Sequence, residues 1–374
     1  MAGIYIHIPF CRQACHYCDF HFSTNTHGQA SLIGNIEAEL RMQKGYMGGE
    51  KVNTIYFGGG TPSMISNAEV NGILETIFKN FDVEPSSEIT LEANPDDLSP
   101  GKLSELAKIG INRLSIGIQS FDDAVLKFLN RAHDSGSAVS SFEEARKAGF
   151  ENISIDLMYA LPGQDMNDWK KNIDLALRLA PNHISAYSLT IEERTVFGKW
   201  AATKKIKPHD DDGAALELLM LVDELEMGGF EHYEVSNFAM PGYISKHNSS
   251  YWKGVRYLGV GPSAHSYDGM SRQYNVSNNH LYVKAIESGQ IPATFEALTR
   301  EDKINDYLLT TLRTSWGSDL EKLSKEHQYD LLKFHGDYVH RLVAEGYAAL
   351  TNETLRLTKS GRLLADKIAS DLFT

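Results

Sequence analysis

Three cysteines are the side chains of this sequence most able to do chemistry, and they are its only cysteines. Cys11, Cys15 and Cys18 are separated by three and then two intervening residues. This spacing lets one loop wrap three thiolates around a compact inorganic core, and a cubane iron–sulfur cluster has four irons to ligate. One iron would have no cysteine and could take an exogenous chelating ligand. The spacing therefore favours a catalytic cluster over a closed structural or electron-transfer site.

Two other interpretations of the cysteines compete with the cluster. Zinc could take the three thiolates together with His16 or His21, although one loop that supplies all four ligands would be cramped. Three unrelated buried thiols are disfavoured, because structural cysteines have no reason to crowd into one short segment. An odd number of cysteines in one loop also argues against a disulfide framework and for a reducing compartment.

A glycine-rich segment, Gly58-Gly59-Gly60-Thr61-Pro62, follows a predicted strand and precedes a predicted helix. Glycines at such a turn let backbone amides approach a ligand without a side chain in the way. The same residues could simply make a tight strand-to-helix turn. The segment becomes a binding candidate only in combination with the cysteine loop.

The elements that must position these residues alternate between short apolar runs and amphipathic segments. The runs predicted as strands are 3–8, 53–57, 88–93, 112–118, 152–158 and 183–189. The segments with helical spacing include 30–44, 67–79, 100–108 and 168–179. This order predicts an α/β protein with a parallel sheet, either an open doubly wound sheet or a barrel.

Polar residues at the ends of several strands help to choose between these architectures. Gly58, Glu92, Gln119 and Asp156 all fall at or near the carboxyl end of a predicted strand. An open sheet concentrates function at one switch point, whereas here nearly every strand contributes a polar residue, as in barrels. The sequence therefore favours a barrel or partial barrel whose mouth carries the site.

The character of the chain changes after residue 290. Predicted helices over 302–314, 320–326 and 330–345 precede a predicted hairpin, 348–350 with 355–357, and a last helix from residue 361. We expect residues 1–290 to form the barrel, its site and a covering segment, and residues 291–374 to form a small winged-helix-like α+β domain. Residues 295–374 carry 11 Lys and Arg against 13 Asp and Glu, a net charge of −2. This charge disfavours DNA binding and favours a structural or covering role.

Composition bounds the location and the partners of the protein. The formal net charge of −13 disfavours duplex nucleic acid or an anionic membrane surface as the main partner. No apolar run approaches the roughly 18 residues of a membrane span, and the N-terminus has no signal-peptide pattern. We expect a cytoplasmic protein that does not bind nucleic acid, and peripheral membrane contact is not indicated.

The Cys-x3-Cys-x2-Cys spacing, with Tyr17 before the third cysteine, resembles the signature of the radical S-adenosylmethionine (SAM) superfamily. The adjoining Tyr-Ile-His-Ile-Pro-Phe is similar to the branch that contains oxygen-independent coproporphyrinogen III oxidase and the heme chaperones, and the similarity covers almost the whole chain. The resemblance implies a partial (β/α)6 barrel. It also implies a 4Fe-4S cluster on Cys11, Cys15 and Cys18 that binds S-adenosyl-L-methionine.

The same resemblance assigns further positions to the S-adenosylmethionine site. It falls on the segments Leu-Glu-Ala-Asn-Pro, Ile-Gly-Ile-Gln-Ser-Phe, Leu-Asn-Arg and Ile-Asp-Leu-Met-Tyr-Ala-Leu-Pro-Gly. The ligand needs an acceptor for its ammonium, a cation for its carboxylate and polar groups for its hydroxyls. The cofactor-binding residues that the resemblance implies are Tyr5, Tyr17, Gly59, Gly60, Thr61, Glu92, Gln119, Arg131 and Asp156.

Three features separate the two relatives. The oxidase pattern has a long extension before the cluster and a fourth cysteine, whereas this chain begins ten residues before Cys11 and has Phe20 at the fourth position. His247-Asn-Ser-Ser-Tyr-Trp252 matches the His-Asn-x-x-Tyr-Trp pattern of the heme chaperone. Imidazole can ligate heme iron and aromatic rings pack on porphyrins, so His247 is the candidate heme ligand, with His265 as another possibility.

We therefore expect a heme chaperone of the radical SAM class that passes heme to acceptor proteins and draws on an electron donor. The alternative is coproporphyrinogen III oxidase, which would make the protein an enzyme acting on a porphyrinogen. A pure binding module is a third interpretation. Neither the acceptor nor the donor can be read from the sequence, and a homodimer is possible.

Overall fold

Six parallel strands from the first half of the chain form the centre of one large sheet in the computed structural model, which describes residues 1–374. All six predicted strands are present, each within a few residues of its expected bounds. Each strand pairs with the next along the chain. The strands are β1 (Ala2–Ile8), β2 (Val52–Gly59), β3 (Val83–Ala93), β4 (Arg113–Gln119), β5 (Asn152–Tyr159) and β6 (His183–Ser188).

The helices of this half lie between the strands, which gives the predicted β/α alternation. Ser66 caps α2 with a capping box to Glu69, and Pro100 opens α3 behind Ser99, so these helices begin where their sequence signals stand. Sequence analysis missed α4 and α5, the latter amphipathic but rich in serine. The helices are α1 (Gln29–Met42), α2 (Asn67–Asn80), α3 (Pro100–Lys108), α4 (Asp123–Phe128), α5 (Ser135–Lys147) and α6 (Met166–Leu179).

Alternation along the central strands separates an apolar face from a polar one. Ile4, Ile6 and Ile8 of β1 are fully buried and belong to a core of 53 residues that includes helix residues. Tyr5 and His7 point to the opposite face. The same period of two continues across β2 to β6, so the face away from that core is lined by tyrosines, histidines, acids and one arginine. We call this polar interior the lumen.

The segment after β6, for which sequence analysis gave only a covering role, widens the sheet. The twelve-stranded order is β12-β11-β10-β9-β1-β2-β3-β4-β5-β6-β8-β7; β9 is parallel to β1, and β7, β8 and β10 to β12 make the antiparallel margins. The elements are α7 (Val196–Ala202), α8 (Asp211–Met227), β7 (Glu231–Glu234), β8 (Asn237–Ala239), α9 (Lys246–Trp252), β9 (Tyr257–Val260), β10 (His265–Tyr267), β11 (Ser271–Asn275), α10 (Asn279–Glu287) and β12 (Ala293–Ala297).

The last part of the chain packs around a second core of 16 residues between Ile304 and Leu372, with a small antiparallel sheet, β13-β15-β14. β12, which begins after residue 290, still pairs with β11 in the large sheet. The domain boundary at residue 290 stays a prediction. The elements are α11 (Arg300–Leu312), β13 (Ser318–Asp319), α12 (Leu320–His327), α13 (Leu331–Ala344), β14 (Ala348–Thr351), β15 (Thr354–Leu357), α14 (Lys359–Arg362) and α15 (Ala365–Asp371). None of the fifteen helices combines the length and apolar character of a membrane span.

Candidate functional site

An open cavity of about 640 Å³ lies at the carboxyl ends of the central strands. This is the edge at which parallel β/α proteins place their sites. We call it the outer cavity. Of the residues predicted from the sequence, it brings together Cys11, Cys15, Cys18, Tyr17, Gly59, Gly60, Thr61, Glu92, Gln119, Arg131 and Asp156.

The three cysteines lie on the loop between β1 and α1, partly buried and free of disulfides. The loop is closed at its base, where Cys11 N donates to Ser23 O (3.0 Å) and Ser23 N donates to Pro9 O (2.8 Å). Burial raises the pKa of Cys11 to about 11, and the neighbouring Cys18 and Cys15 add to this rise. Burial and crowding therefore favour the neutral thiol, and ionising the three side chains together would need a nearby cationic centre such as an iron–sulfur core.

The single-zinc interpretation finds no fourth ligand on the loop. His16 Nδ1 lies 2.9 Å from Phe128 O, and the His16 ring packs against Trp200 and Phe197. His21 Nε2 lies 2.8 Å from Asn279 Oδ1. The structure contains no group of three His, Cys, Asp or Glu side chains placed around a single metal position. A cubane does not need such a group, because each of its irons takes one thiolate.

Asn130, which sequence analysis did not select, holds the cysteine loop from the barrel side. Its Nδ2 donates to Ala14 O, and its Oδ1 accepts from Gln13 Nε2, both at 2.7 Å. Asn130 has a φ of 59°, in the left-handed region where asparagine is among the better tolerated residues. It precedes Arg131 in the Leu-Asn-Arg segment, so the signal was present but unassigned. Through its bonds to Gln13 and Ala14, Asn130 ties the loop between Cys11 and Cys15 to the segment that follows α4.

The glycine-rich segment needs glycine for two reasons. Gly59 has a φ of 109°, and a Cβ there would lie 2.6 Å from the His7 ring. A Cβ on Gly60 would lie 2.7 Å from Phe10 O. Thr61 Oγ1 then donates to Cys11 Sγ at 3.3 Å. The turn is therefore packed directly against the cysteine loop.

Arg131 connects the cysteine loop to the strands. Its Nη1 lies 3.4 Å from both Cys15 Sγ and Tyr17 OH, and its Nη2 donates to Asn94 Oδ1 (2.6 Å) and Gly117 O (2.7 Å). Its buried Nε has no partner. Asn94, another residue that sequence analysis did not select, also donates to Thr61 Oγ1 at 3.3 Å. A fixed guanidinium with unused bonding capacity is suited to an anionic ligand group.

Two acidic residues, Glu92 on β3 and Asp156 on β5, face the outer cavity from the two sides of β4. Tyr56 OH donates to Glu92 Oε1 at 2.7 Å, and Ser115 Oγ donates to Asp156 Oδ1 at 3.2 Å. Burial raises the pKa of Glu92 to about 7 and that of Asp156 to about 6. Gln119, with a φ of 67°, sits at a register irregularity at the end of β4. The cavity thus offers acidic, amide and guanidinium groups to one ligand.

Two predicted residues, Tyr5 and His247, lie elsewhere. They line a second cavity of about 370 Å³ on the side of the lumen next to α9, which we call the inner cavity. It shares Tyr56, Glu92, Tyr187 and Asn248 with the outer cavity and is lined by residues of α9 and by Arg313, which follows α11. Tyr17 therefore flanks the cysteines, whereas Tyr5 lies away from them.

His247 is engaged at both ring nitrogens. Nδ1 lies 2.8 Å from Thr54 Oγ1, and Nε2 lies 2.8 Å from Tyr251 OH. The residue is 2% exposed, and burial lowers the pKa of its ring to about 3. The ring is neutral, as an iron ligand must be, but iron binding would require a hydrogen bond to break and the ring to become accessible. His265, by contrast, is exposed and stacks on Tyr274.

Comparison with known proteins agrees with this arrangement. The family model of the Radical SAM superfamily matches residues 5–176, and that of the HemN C-terminal domain matches residues 298–364. Among solved structures, coproporphyrinogen III oxidase (HemN) from Escherichia coli superposes with a TM-score of 0.86, covering 100% of this chain and 90% of that chain at 23% identity. This likeness shows the fold. The predicted α/β radical SAM barrel with a small C-terminal unit is confirmed.

The fold and the cysteine-lined cavity define a protein of the radical SAM class. The chain is 34% identical to the heme chaperone HemW of Bacillus subtilis over 98% of both chains. It is 35% identical to the heme chaperone HemW of Lactococcus lactis, covering 97% of this chain and 95% of the relative. Within the radical SAM superfamily, the chain belongs to the heme chaperone HemW family.

Proposed function

We propose that this protein is a heme chaperone that binds a 4Fe-4S cluster, S-adenosylmethionine and heme, and passes heme to acceptor proteins. The observation that carries the proposal is the outer cavity, where three free cysteines, a guanidinium and two acids converge in a chain related along its whole length to heme chaperones. The proposal includes an electron donor for the cluster, a cytoplasmic location and no nucleic-acid partner. A homodimer is compatible with it.

The residues of the outer cavity divide the work of binding. Cys11, Cys15 and Cys18 would ligate three irons, and the fourth iron would take the methionine end of S-adenosylmethionine. When bound, the two groups supply one-electron cleavage of a sulfonium bond. Arg131 is placed to pair with a carboxylate and Glu92 to accept from an ammonium, while Asp156 and Gln119 can bond hydroxyls.

The glycine-rich turn completes the binding set. Without side chains at Gly59 and Gly60, its backbone can approach a ligand on the same side as the cluster loop. Thr61, through its contact with Cys11, couples this approach to the position of the loop.

The heme-binding part of the proposal is supported by the similarity of this chain to heme chaperones. His247 remains the ligand that the family motif suggests, but in this conformation it is closed off by Thr54 and Tyr251. His265 is the matched alternative, because its ring is exposed beside Tyr274 on an outer part of the sheet. A heme spectrum that depends on one histidine and not on the other decides between them.

The alternative function is oxidative decarboxylation of coproporphyrinogen III. Phe20 stands where the oxidase pattern has a fourth cysteine, and its side chain is 75% exposed beside the outer cavity. The likeness to HemN extends to the fold at 23% identity. Phe20 therefore favours the chaperone.

The test is to reconstitute the cluster anaerobically, add S-adenosylmethionine, and supply heme and coproporphyrinogen III in separate reactions. We expect stoichiometric heme binding by absorption spectroscopy, transfer to an apo-hemoprotein, and no protoporphyrinogen. Robust conversion of coproporphyrinogen III without heme binding would replace the chaperone by the oxidase. A Cys11→Ala protein serves as the cluster-free control.

A further inference from the structure

Arg113 is a buried cation with no direct partner in the lumen. It is the first residue of β4, and its side chain shares a face with Ser115, Gly117 and Gln119, which line the outer cavity. Arg113 is 1% exposed, and its Nε and Nη1 have no hydrogen-bond partner. An isolated buried charge is costly, so a guanidinium in this position must be balanced by charge nearby.

Three acids stand on the lumen face near it: Glu88 on β3, whose buried carboxylate already accepts from the backbone nitrogens of Lys246 and His247, and the two acids of the outer cavity. Glu92 lies opposite Ser115 on β3, and Asp156 lies opposite Gly117 on β5, so both stand on the lumen face one or two layers above Arg113. Their observed side-chain donors are neutral hydroxyls, Tyr56 for Glu92 and Ser115 for Asp156. Neither acid forms an ion pair, and both have burial working against ionisation.

We propose that Arg113 is the counter-ion of Glu92 and Asp156 across the lumen, a positioning residue that favours the ionised form of both acids, which is the form that binds a cationic ligand. The inference rests on the proposed function in assigning that ligand as S-adenosylmethionine. It is a new role, because Arg113 touches neither cavity and stands outside every motif of the sequence.

The electrostatics of the surrounding groups agree with this role. Arg113 lowers the pKa of Glu92 and of Asp156 against the effect of burial. Other titratable or charged groups facing the two acids are Tyr5, Tyr56, Arg131, Tyr187 and Tyr251. Of these, only Arg131 is a cation, and it is held by the cysteine loop. On its other sides Arg113 faces His183, Tyr233 and His247, and it favours the neutral form of both histidines.

The test reads the two acids directly in protein without cluster or S-adenosylmethionine. Infrared titration of protein labelled with ¹³C in the Asp and Glu carboxyl groups follows buried carboxylic acids, and Glu92→Gln and Asp156→Asn assign the bands. Wild-type protein should titrate near pH 7 and pH 6. Arg113→Met should raise both midpoints by roughly one pH unit, because an opposite charge is lost. Arg113→Lys, which keeps the positive charge, should leave both midpoints close to the wild-type values.

Arg146→Gln is the matched control, because Arg146 lies outside the lumen and bonds backbone carbonyls at the end of α5. Unchanged midpoints in folded Arg113→Met would overturn the inference. If Arg113→Met does not fold, Arg113→Lys still decides, since midpoints displaced by a full pH unit despite the retained charge would contradict a counter-ion.

S-adenosylmethionine binding separates this inference from the proposed function. In cluster-loaded protein, Arg113→Met should weaken S-adenosylmethionine binding at pH 7. The affinity should recover at higher pH, because both acids then ionise without Arg113. Shifted infrared midpoints with unchanged affinity would support the counter-ion and reject the ligand role of the acids. Unshifted midpoints with normal wild-type binding would reject the counter-ion and leave the proposed function intact.

Discussion

The outer and inner cavities share four residues, Tyr56, Glu92, Tyr187 and Asn248, yet the charged and titratable side chains that belong to only one of them differ. In the outer cavity the cysteines are free, Arg131 Nε has no partner and burial raises the pKa of Asp156. In the inner cavity His247 bonds Tyr251 and Glu234 pairs with Arg313 at 3.1 Å, although Asn237 Oδ1 and Trp252 Nε1 have no partner.

This difference separates binding capacity from support. Polar groups beside a cavity that still have free donors or acceptors can form hydrogen bonds with a ligand. Groups that already bond one another would have to break those bonds first, so ligand binding gains little from them. The His247 to Trp252 motif mainly closes the lumen and meets the C-terminal unit, since Trp252 lies under Arg313, which follows α11. Four predictions test the distinction.

The largest effect is expected at the cysteines. Cys11→Ala, Cys15→Ala or Cys18→Ala should abolish the cluster, because each change leaves a second iron without a protein ligand. Iron and acid-labile sulfide analysis after anaerobic reconstitution measures this. His16→Gln is the control and should retain wild-type iron, since Phe128 O already occupies His16 Nδ1. Stoichiometric zinc that depends on His16 would instead support the single-metal site.

The next effect concerns the acids of the outer cavity. Glu92→Gln should weaken S-adenosylmethionine binding by about 1.5–3 kcal/mol, or roughly 10- to 150-fold, because a charged hydrogen bond is lost. Calorimetry on cluster-loaded protein gives the affinity. Glu234→Gln, which changes an acid of the inner cavity only, should leave the affinity unchanged while lowering stability. Equal effects of the two variants on affinity would erase the distinction between the cavities.

A third prediction sets His247 against His265. His247→Ala should lower the free energy of unfolding by about 1–3 kcal/mol, because Thr54 and Tyr251 lose a buried partner. His265→Ala should change it by less than about 0.5 kcal/mol, as expected for an exposed residue. Denaturant titration measures both. If His247→Ala removes the heme spectrum while the free energy of unfolding stays at the wild-type value, His247 leaves its buried site to bind iron. The inner cavity then takes part in heme binding and is more than a structural support.

The smallest effect is a pH dependence that differs in sign between ligand binding and stability. Glu92 has a folded pKa of about 7, above its ordinary value of 4.5, so between these values only the folded state holds the proton. Its contribution to stability is therefore present below pH 4.5 and is lost as pH rises towards 7. Binding of an ammonium needs the carboxylate and should strengthen by about tenfold from pH 6 to pH 8. Parallel trends in calorimetry and thermal melts would contradict this assignment.

Much of the fold could be predicted from the sequence because its signals are local. Apolar runs, helix periodicity and caps located the six strands and four of the six helices between them, because the period of a strand or helix is visible within a few residues. The sheet margins β7 to β12 were not predicted. They are strands of three to five residues, and they join the central sheet only where β9 pairs with β1 and β8 pairs with β6. Short segments of this kind become strands only when a neighbour supplies the hydrogen bonds.

For the site, residue types and spacing alone determined the cysteine loop, the glycine turn and the acids at strand ends. Each follows from a requirement within one segment, such as three thiolates on one loop. Only the tertiary structure could distinguish His247 from those residues, because Tyr251 bonds it from one turn later on α9 while its other partner, Thr54, comes from the distant strand β2. The same holds for Arg113, whose sequence context marks only a strand start. Burial and electrostatic partnership depend on what the fold brings together across the lumen, and that arrangement is decided by packing over the whole barrel.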